Sequence, residues 1–144
     1  MINTLRNAGL FVMLITLSSC APLPTLDYPD GTYRGVFIDR DQVQVNVEFR
    51  LENGIMTRAS FRHLYGGAKY RLGVREEPFR SVVQQYQEAL DHLVGKHLTT
   101  HLADLYTPED IITTEVDGFS AATMRSSKIL SAIQDALNRG PYSL

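Results

Sequence analysis

One short segment of the sequence, residues 117–123 (DGFSAAT), combines a carboxylate, hydroxyls and very small side chains. It lies between a strand-like run and an amphipathic helical pattern, so its last residues are expected near a helix N-terminus. Small side chains let a bulky group approach the backbone, and the unpaired N–H groups of a helix start favour a phosphate. Arg125 and Lys128 follow shortly afterwards and add positive charge. These residues predict a site for a phosphate-bearing ligand.

The same segment also has a purely structural interpretation. Ser120 and Thr123 are residue types that commonly cap helices, and Asp117-Gly118 is a common turn sequence. No histidine or acidic residue is evidently placed to form a catalytic triad with Ser120, so a hydrolase is not favoured. From these residues alone, both the binding and the capping interpretations remain open.

Histidines and tyrosines provide weaker candidates. His97 and His101 stand four residues apart, which could place two metal ligands on one face of a helix. No glutamate or cysteine completes a metal pattern, so surface or partly buried histidines are favoured and no metal site is predicted. Three tyrosines could stack on a planar ligand, although ordinary packing is the favoured role of each: Tyr65, Tyr70 and Tyr86.

The first residues have the pattern of an export signal. Arg6 precedes an apolar run over residues 8–17, which is too short to span a bilayer comfortably. Small residues then precede Cys20, the one cysteine of the chain, in a pattern that resembles the bacterial lipobox. In lipobox proteins the thiol receives a diacylglyceryl group and the chain is cut before the cysteine. Residues 1–19 are therefore predicted to be a lipoprotein signal peptide.

The lipobox resemblance implies a protein of the cell envelope, anchored to a membrane through Cys20 and facing the periplasm or the exterior. Two or more acyl chains anchor a protein durably. Ala21, which is not an aspartate, favours the outer membrane in a cell with two membranes. Residues 20–29 contain three prolines and are predicted to be a short stiff tether, and residues 30–144 are predicted to form one domain.

The composition excludes several classes of function. A single cysteine that is acylated leaves no intrachain disulfide, no thiolate metal cluster and no cysteine nucleophile. The chain has a formal charge of −2, and loss of Arg6 with the signal peptide makes it more negative. No basic patch of the kind that binds nucleic acid is expected.

Three strands are predicted in the first half of the domain. Residues 32–38 are rich in aromatic and β-branched side chains and follow an Asp-Gly turn sequence. Apolar and polar residues alternate over 43–51, which is typical of a strand with one buried face. Asn53-Gly54 then marks a tight hairpin, and residues 55–61 are the expected return strand. This region predicts an antiparallel meander.

Helical patterns dominate the second half. Glu76-Glu77-Pro78 suits a helix start, and an apolar stripe at helical spacing follows it. The predicted elements are a loop over 64–73, this helix ending near Gly95, a short helix over 98–105, a strand over 111–116, and a final helix that begins within 123–127 and ends at Gly140-Pro141. The sum is an α+β domain in which two to three helices pack on an antiparallel sheet.

The segment DGFSAAT resembles the flavinylation motif of the FMN-binding domain family. That family includes the periplasmic flavin subunits of sodium-pumping quinone reductases and of related electron-transport complexes. In the motif, an aspartate is followed after two residues by serine or threonine, glycine, alanine and a threonine that carries FMN through a phosphoester bond. Asp117, Ser120, Ala122 and Thr123 match this pattern, and Ala121 stands where the family has glycine.

Two further stretches resemble the same family. Residues 30–35 (DGTYRG) resemble its opening strand, and the alternating strand with its Asn-Gly turn stands where the family has a hairpin. Together with the motif they cover most of residues 30–140.

The resemblance implies an electron carrier with bound FMN rather than an enzyme with its own substrate. In the family, a separate magnesium-dependent flavin transferase attaches the FMN, so the acceptor residue needs only exposure and recognition. The flavin then carries one or two electrons. The residues implied at the site are Thr123, Ser120, Asp117, Gly118, Ala122 and Arg125.

Ala121 leaves two alternatives open. One is the same fold with non-covalent flavin or another planar ligand. The other is a binding or scaffold lipoprotein that holds no flavin. The redox partners are not identified by the sequence under any of these hypotheses.

Overall fold

A three-stranded antiparallel sheet covered by helices forms the structure, which confirms the predicted α+β class. The computed structural model describes residues 28–67, 70–116 and 119–142, with the side chains of 119 and 120 excepted. Its elements, in chain order, are β1 (Gly31–Asp39), β2 (Gln42–Glu52), β3 (Ile55–Leu64), α1 (Phe79–Asp91), α2 (Leu98–His101), two 3₁₀ helices (Leu102–Tyr106 and Pro108–Asp110) and α3 (Phe119–Arg139).

The sheet has the order β1-β2-β3 and follows the predicted meander. The alternation in β2 is confirmed, because its apolar residues, from Val45 to Leu51, are fully buried beneath the helices. The turn at Asn53 and Gly54 has positive φ at both residues, 51° and 74°, which is the backbone that a tight hairpin requires. The inner face of the sheet therefore forms half of the core.

Helix α3 and the residues that follow it close the edge of the sheet at β1. The backbone N–H of Val36 donates to Asp135 Oδ2 at 2.9 Å, and the N–H of Tyr142 donates to the carbonyl of Thr32 at 2.9 Å. At Gly35 the strand and helix backbones come so close that an added Cβ would lie 2.0 Å from the Ala132 carbonyl oxygen. An edge strand covered in this way is protected from pairing with other chains.

The first helical segment agrees with its predicted apolar stripe. Val82, Tyr86, Ala89 and Leu90 are buried on one face of α1. The helix ends at Asp91, four residues before the predicted Gly95, and a turn connects the two. The predicted short helix over 98–105 is present as α2 and the 3₁₀ helix that follows it.

Two of the predicted elements are wrong in detail. Residues 111–116 are not a strand: the N–H of Ile112 donates to the carbonyl of Pro108 at 2.8 Å, and the next two N–H groups donate to a carboxylate of α1. Helix α3 begins at Phe119, several residues before the predicted start within 123–127. Ala121 and Ala122 are good helix formers, which favours this earlier start.

Candidate ligand site at the start of helix α3

A cavity of about 650 Å³ lies between α1, the segment 108–116 and the first turn of α3. This volume falls within the range of small-molecule and cofactor sites, about 300–1,000 Å³. The lining combines apolar surface with a buried amide and two exposed carboxylates. The residues that line it are Gln85, Pro108, Glu109, Ile112, Thr114, Glu115, Val116 and Ala122.

The outer wall of the cavity is held by Glu88 of α1. One oxygen, Oε2, accepts the backbone N–H groups of Thr113 and Thr114 at 2.8 and 3.1 Å, and Oε1 accepts the Thr114 hydroxyl at 2.6 Å. Burial raises the pKa of the Glu88 carboxyl, but the hydrogen bonds from Thr114 and Thr113 outweigh burial and the pKa lies below its usual value. The carboxylate therefore stays ionised. It accepts the backbone N–H groups of Thr113 and Thr114, which in a strand would donate to a neighbouring strand.

A second clamp joins three elements beneath the wall. Gln85 is 2% exposed, and its Nε2 donates to the Thr114 carbonyl at 2.5 Å. Its Oε1 accepts a hydrogen bond from the Arg125 guanidinium of α3, which is 9% exposed. Arg125 thus places a positive charge against a residue of the lining, and α1, α3 and the wall are tied by one chain of hydrogen bonds.

The structure brings part of the predicted motif to this cavity. Ala122 lines it directly and is 7% exposed, and Thr123 follows in the helix with a partly buried side chain. Thr123 is the fifth residue of α3, so it lies one turn inside the helix rather than at its start, which was predicted within 123–127. Because helical side chains tilt toward the N-terminus, the Thr123 side chain leans back over the first turn, where the unpaired N–H groups lie.

Other predicted residues lie elsewhere or outside the described part of the chain. Lys128 does not join the site: its Nζ donates to Gln44 Oε1 at 2.6 Å, and burial lowers its pKa. Asp117, Gly118 and Cys20 lie outside the described residues, as does the side chain of Ser120. The backbone of Ser120 is in the first turn of α3.

Ala121, which stands where the motif has glycine, has a helical backbone. It is one of the residues of α3, and it is absent from the positive-φ residues of the described chain, which are Arg40, Asp41 and Asn53 apart from glycines. Alanine adopts this conformation without strain and favours a helix more than glycine does. Alanine at position 121, in place of the motif's glycine, therefore does not strain the backbone.

The tyrosines form a separate group that extends from the core to the surface. Tyr86 is fully buried, and its hydroxyl lies 3.1 Å from that of Tyr70. Burial, with the Tyr70 hydrogen bond, raises the pKa of Tyr86, so its hydroxyl stays protonated. Tyr65 and Tyr70 line a second, smaller cavity of about 370 Å³. None of the three tyrosines is among the residues that line the first cavity.

The histidines contact side chains of their own neighbourhood. His92 Nε2 and His101 Nδ1 lie 2.8 and 3.0 Å from the same oxygen of Asp104, and His97 Nδ1 lies 3.0 Å from the Thr99 hydroxyl. Within the described ranges, no group of three or more histidine, cysteine, aspartate or glutamate side chains is arranged to hold a metal ion.

Comparisons with models of protein families, with curated proteins and with solved structures return no match to this chain. The resemblance to the FMN-binding domain family therefore rests on the sequence itself: the motif, residues 30–35 and the hairpin with its Asn-Gly turn. Over the part of the chain that the structure describes, no helix is both long enough and apolar enough to cross a membrane.

Sequence reasoning missed the residues that shape the cavity. Gln85 had a detectable signal, because it lies three residues after Val82 and four before Ala89, on the apolar stripe of α1. A polar residue on such a stripe needs a buried partner. Glu88 and Thr114 had no such signal, since acidic and hydroxyl residues are common on exposed surfaces.

Proposed function

We propose that this protein is an exported, membrane-anchored flavoprotein that carries FMN on Thr123 and transfers electrons in the cell envelope. The observation that carries the proposal is the position of the cavity: it opens beside Ala122, the residue immediately before the threonine that the motif designates. The motif alone would fit a helix cap, but a helix cap does not account for a cavity of cofactor size at the same point.

The residues present fit such a group. The cavity has room for a planar ring system, and the Gln85 amide at its lining could hydrogen-bond to ring heteroatoms. Arg125 supplies positive charge next to Gln85, which favours a phosphate. The two carboxylates of the lining, Glu109 and Glu115, are exposed and can keep their charges in water.

In this proposal the chain's own residues bind and orient, and the flavin supplies one- and two-electron chemistry when bound. Thr123 would supply the hydroxyl oxygen of the phosphoester, with FAD as the FMN donor and AMP as the leaving group. A lone threonine hydroxyl is a poor nucleophile without an external base or metal. A flavin transferase is therefore a required partner. In this proposal the residues around Thr123 position the FMN. They are Ser120, Ala122, Arg125 and Gln85, together with Asp117 and Gly118 of the motif.

Acylation of Cys20 would hold the domain at a membrane, facing the periplasm or the exterior, with residues 20–29 as the tether. A carrier fixed in this way meets donors and acceptors that share the same membrane or diffuse past it. We assign it no substrate of its own, and its electron donor and acceptor are not identified.

A second candidate function is a lipoprotein of the same fold that binds a planar ligand without a covalent bond. The clamps from Glu88 and Gln85 favour it, because they form the cavity wall without any contact that requires an attached flavin. In this case Thr123 and Ser120 act only as helix-start residues.

The colour of the protein separates these functions. The full chain is produced in a bacterial cell that has a flavin transferase, purified, and then passed through a sizing column in denaturant. Yellow that stays with the unfolded chain supports covalent FMN. Yellow that separates from the chain supports the non-covalent function, and a colourless protein beside a yellow control substrate of the same transferase would exclude flavin altogether.

A further inference from the structure

The outward face of the sheet, opposite the helices, carries a cluster of exposed arginines. These are Arg34 of β1, Arg50 of β2, and Arg58 and Arg62 of β3, named here the arginine face. The strand register places them together: Arg50 is directly opposite Arg58, and Arg34 is directly opposite Glu48.

Acidic residues balance the arginine face only in part. Glu48 Oε2 accepts hydrogen bonds from Arg34 at 2.6 Å and Arg62 at 3.2 Å, so two arginines share one carboxylate. Arg50 pairs with Glu52 at 2.7 Å. The Arg58 side chain makes no hydrogen bond or ion pair with any residue that the structure describes. The face thus keeps a positive surplus on a chain whose formal charge is −2.

The pairing of Arg50 with Arg58 is unfavourable by itself. Like charges directly opposite each other on neighbouring strands destabilise a sheet, and an anion placed between them relieves the repulsion. Guanidinium groups match phosphate oxygens in geometry, and they are less strongly hydrated than lysine ammonium groups. A surface of phosphate groups is therefore the complementary partner of this face.

The predicted tether meets the domain at one end of the arginine face. Pro29 and Asp30 precede β1, with the Tyr33 hydroxyl donating to the Pro29 carbonyl at 2.5 Å. Thr32, two residues further, is in register with Arg50. Cys20 is only eight residues before Tyr28, and a fully extended chain of that length spans at most about 29 Å. Acyl chains on Cys20 would therefore hold the arginine face within reach of lipid headgroups.

We propose that the arginine face docks on the anionic phospholipid headgroups of the membrane that holds the lipid anchor. The proposal rests on acylation of Cys20 and is independent of flavin. Docking adds an electrostatic contact to the lipid anchor and fixes the orientation of the domain. The helices and the cavity lie on the other side of the sheet, so docking turns the cavity toward the aqueous compartment, where a transferase or a redox partner can reach it.

Site-directed labelling of the acylated full-length protein tests the orientation. Acylated Cys20 does not react with maleimide, so single cysteines can be introduced at Ser60, exposed on the arginine face, and at Met124, which is 64% exposed on α3. Each variant is reconstituted on vesicles of phosphatidylcholine alone or with an equal part of phosphatidylglycerol. We expect labelling of Ser60→Cys to be about tenfold slower on the anionic vesicles, with Met124→Cys unchanged.

Two charge-matched pairs of substitutions locate the effect. Arg50→Gln with Arg58→Gln should restore fast labelling of Ser60→Cys, since each arginine near an anionic surface contributes about a fivefold factor. Arg71→Gln with Arg75→Gln removes the same charge from exposed positions outside the sheet and should leave the protection in place. Salt of about 1 M, where the Debye length is about 3 Å, should abolish the protection of Ser60→Cys on anionic vesicles.

Three outcomes would overturn the proposal. The first is equal labelling of Ser60→Cys on neutral and anionic vesicles. The second is equal loss of protection with both pairs of substitutions, which would indicate net charge rather than this face. The third is failure of the chain to remain with the vesicles on flotation, because the anchor on which docking rests would then be absent. If the first outcome occurs on vesicles but Ser60→Cys is protected in membranes that keep their native proteins, the partner of the arginine face is an acidic protein instead.

Discussion

The two sides of helix α3 are held by different kinds of contact. Against the sheet, α3 packs backbone to backbone at Gly35, caps the edge N–H of Val36 with Asp135, and shares a fully buried apolar core. Toward the cavity, its first turn meets a segment without regular structure that depends on the polar side chains of Gln85 and Glu88. The side of α3 against the sheet is named here the packed side. The side toward the cavity, which polar side chains hold by hydrogen bonds, is named the clamped side.

The two sides are expected to differ in how far a local defect spreads through the domain. Apolar burial and close backbone contact act over the whole domain, because any defect there is felt by the entire core. Polar clamps act locally, so a wall held by a few hydrogen bonds can open without unfolding the sheet. The cavity wall on the clamped side can therefore adapt while the packed side keeps α3 in place.

The largest effect is expected from Gly35→Ala on the packed side. The added Cβ would meet backbone atoms of Ala132 and Ala136, which cannot move without shifting α3, so we expect a loss of about 3 kcal/mol in the free energy of unfolding. Urea unfolding measures it. Gly95→Ala is the control, because its Cβ meets open space and only its positive φ of 81° costs energy, about 1 kcal/mol. Equal losses in the two variants would contradict the role of close packing.

Arg125→Met tests the clamp that joins α1, α3 and the cavity wall. The substitution leaves the buried Gln85 Oε1 without its donor, and an unsatisfied buried acceptor costs about 2 kcal/mol. Arg139→Met removes a similar side chain from the exposed end of α3, where its ion pair with Asp135 is worth less than about 0.5 kcal/mol. In thermal and urea unfolding, Arg125→Met should therefore lose more free energy of unfolding than Arg139→Met, by the difference between these two costs. If they do not, the clamp is not a source of stability.

The smallest effect is expected from Glu88→Gln, and it should depend on pH. At neutral pH the loss of the charged acceptor should cost about 1.5 kcal/mol and speed hydrogen exchange at Thr113 and Thr114. Because the folded pKa of Glu88 lies below its unfolded value of about 4.3, this stabilisation is complete above that value and is lost as the pH falls through the folded pKa.

The difference between the native chain and Glu88→Gln should therefore narrow only in acid, below about pH 4. Glu109→Gln is the matched control, since this exposed carboxylate lines the cavity without holding its wall. A constant difference from neutral to acid pH would show that the carboxylate charge has no part in the clamp.

The packed side was largely predictable from sequence because its signals are local. The alternation in β2, the Asn53-Gly54 turn and the apolar stripe of α1 each depend on residues that are neighbours in the chain. The edge closure was not predictable, since no local pattern indicates that Asp135 reaches Val36, ninety-nine residues away.

The clamped side was predictable only at its motif. Of the motif residues, Ala122 lines the cavity and Thr123 follows it in α3. The predicted strand over 111–116 was wrong because its β-branched residues indicate a strand, while Glu88, twenty-five residues before Thr113, takes the hydrogen bonds that a strand would use. The start of α3 predicted within 123–127 is wrong because Ala121 and Ala122, which are good helix formers, extend the helix back to Phe119.

The most direct test of the proposed function is the intact mass of the mature domain, exported in a cell with a working flavin transferase. We expect a mass increase equal to FMN minus water in the native chain. Ser127→Ala, which removes an exposed hydroxyl one turn further along α3, should keep this increase, and Thr123→Ala should lose it. An unmodified mass in the native chain, with a modified control substrate of the same transferase, would contradict covalent flavin on Thr123.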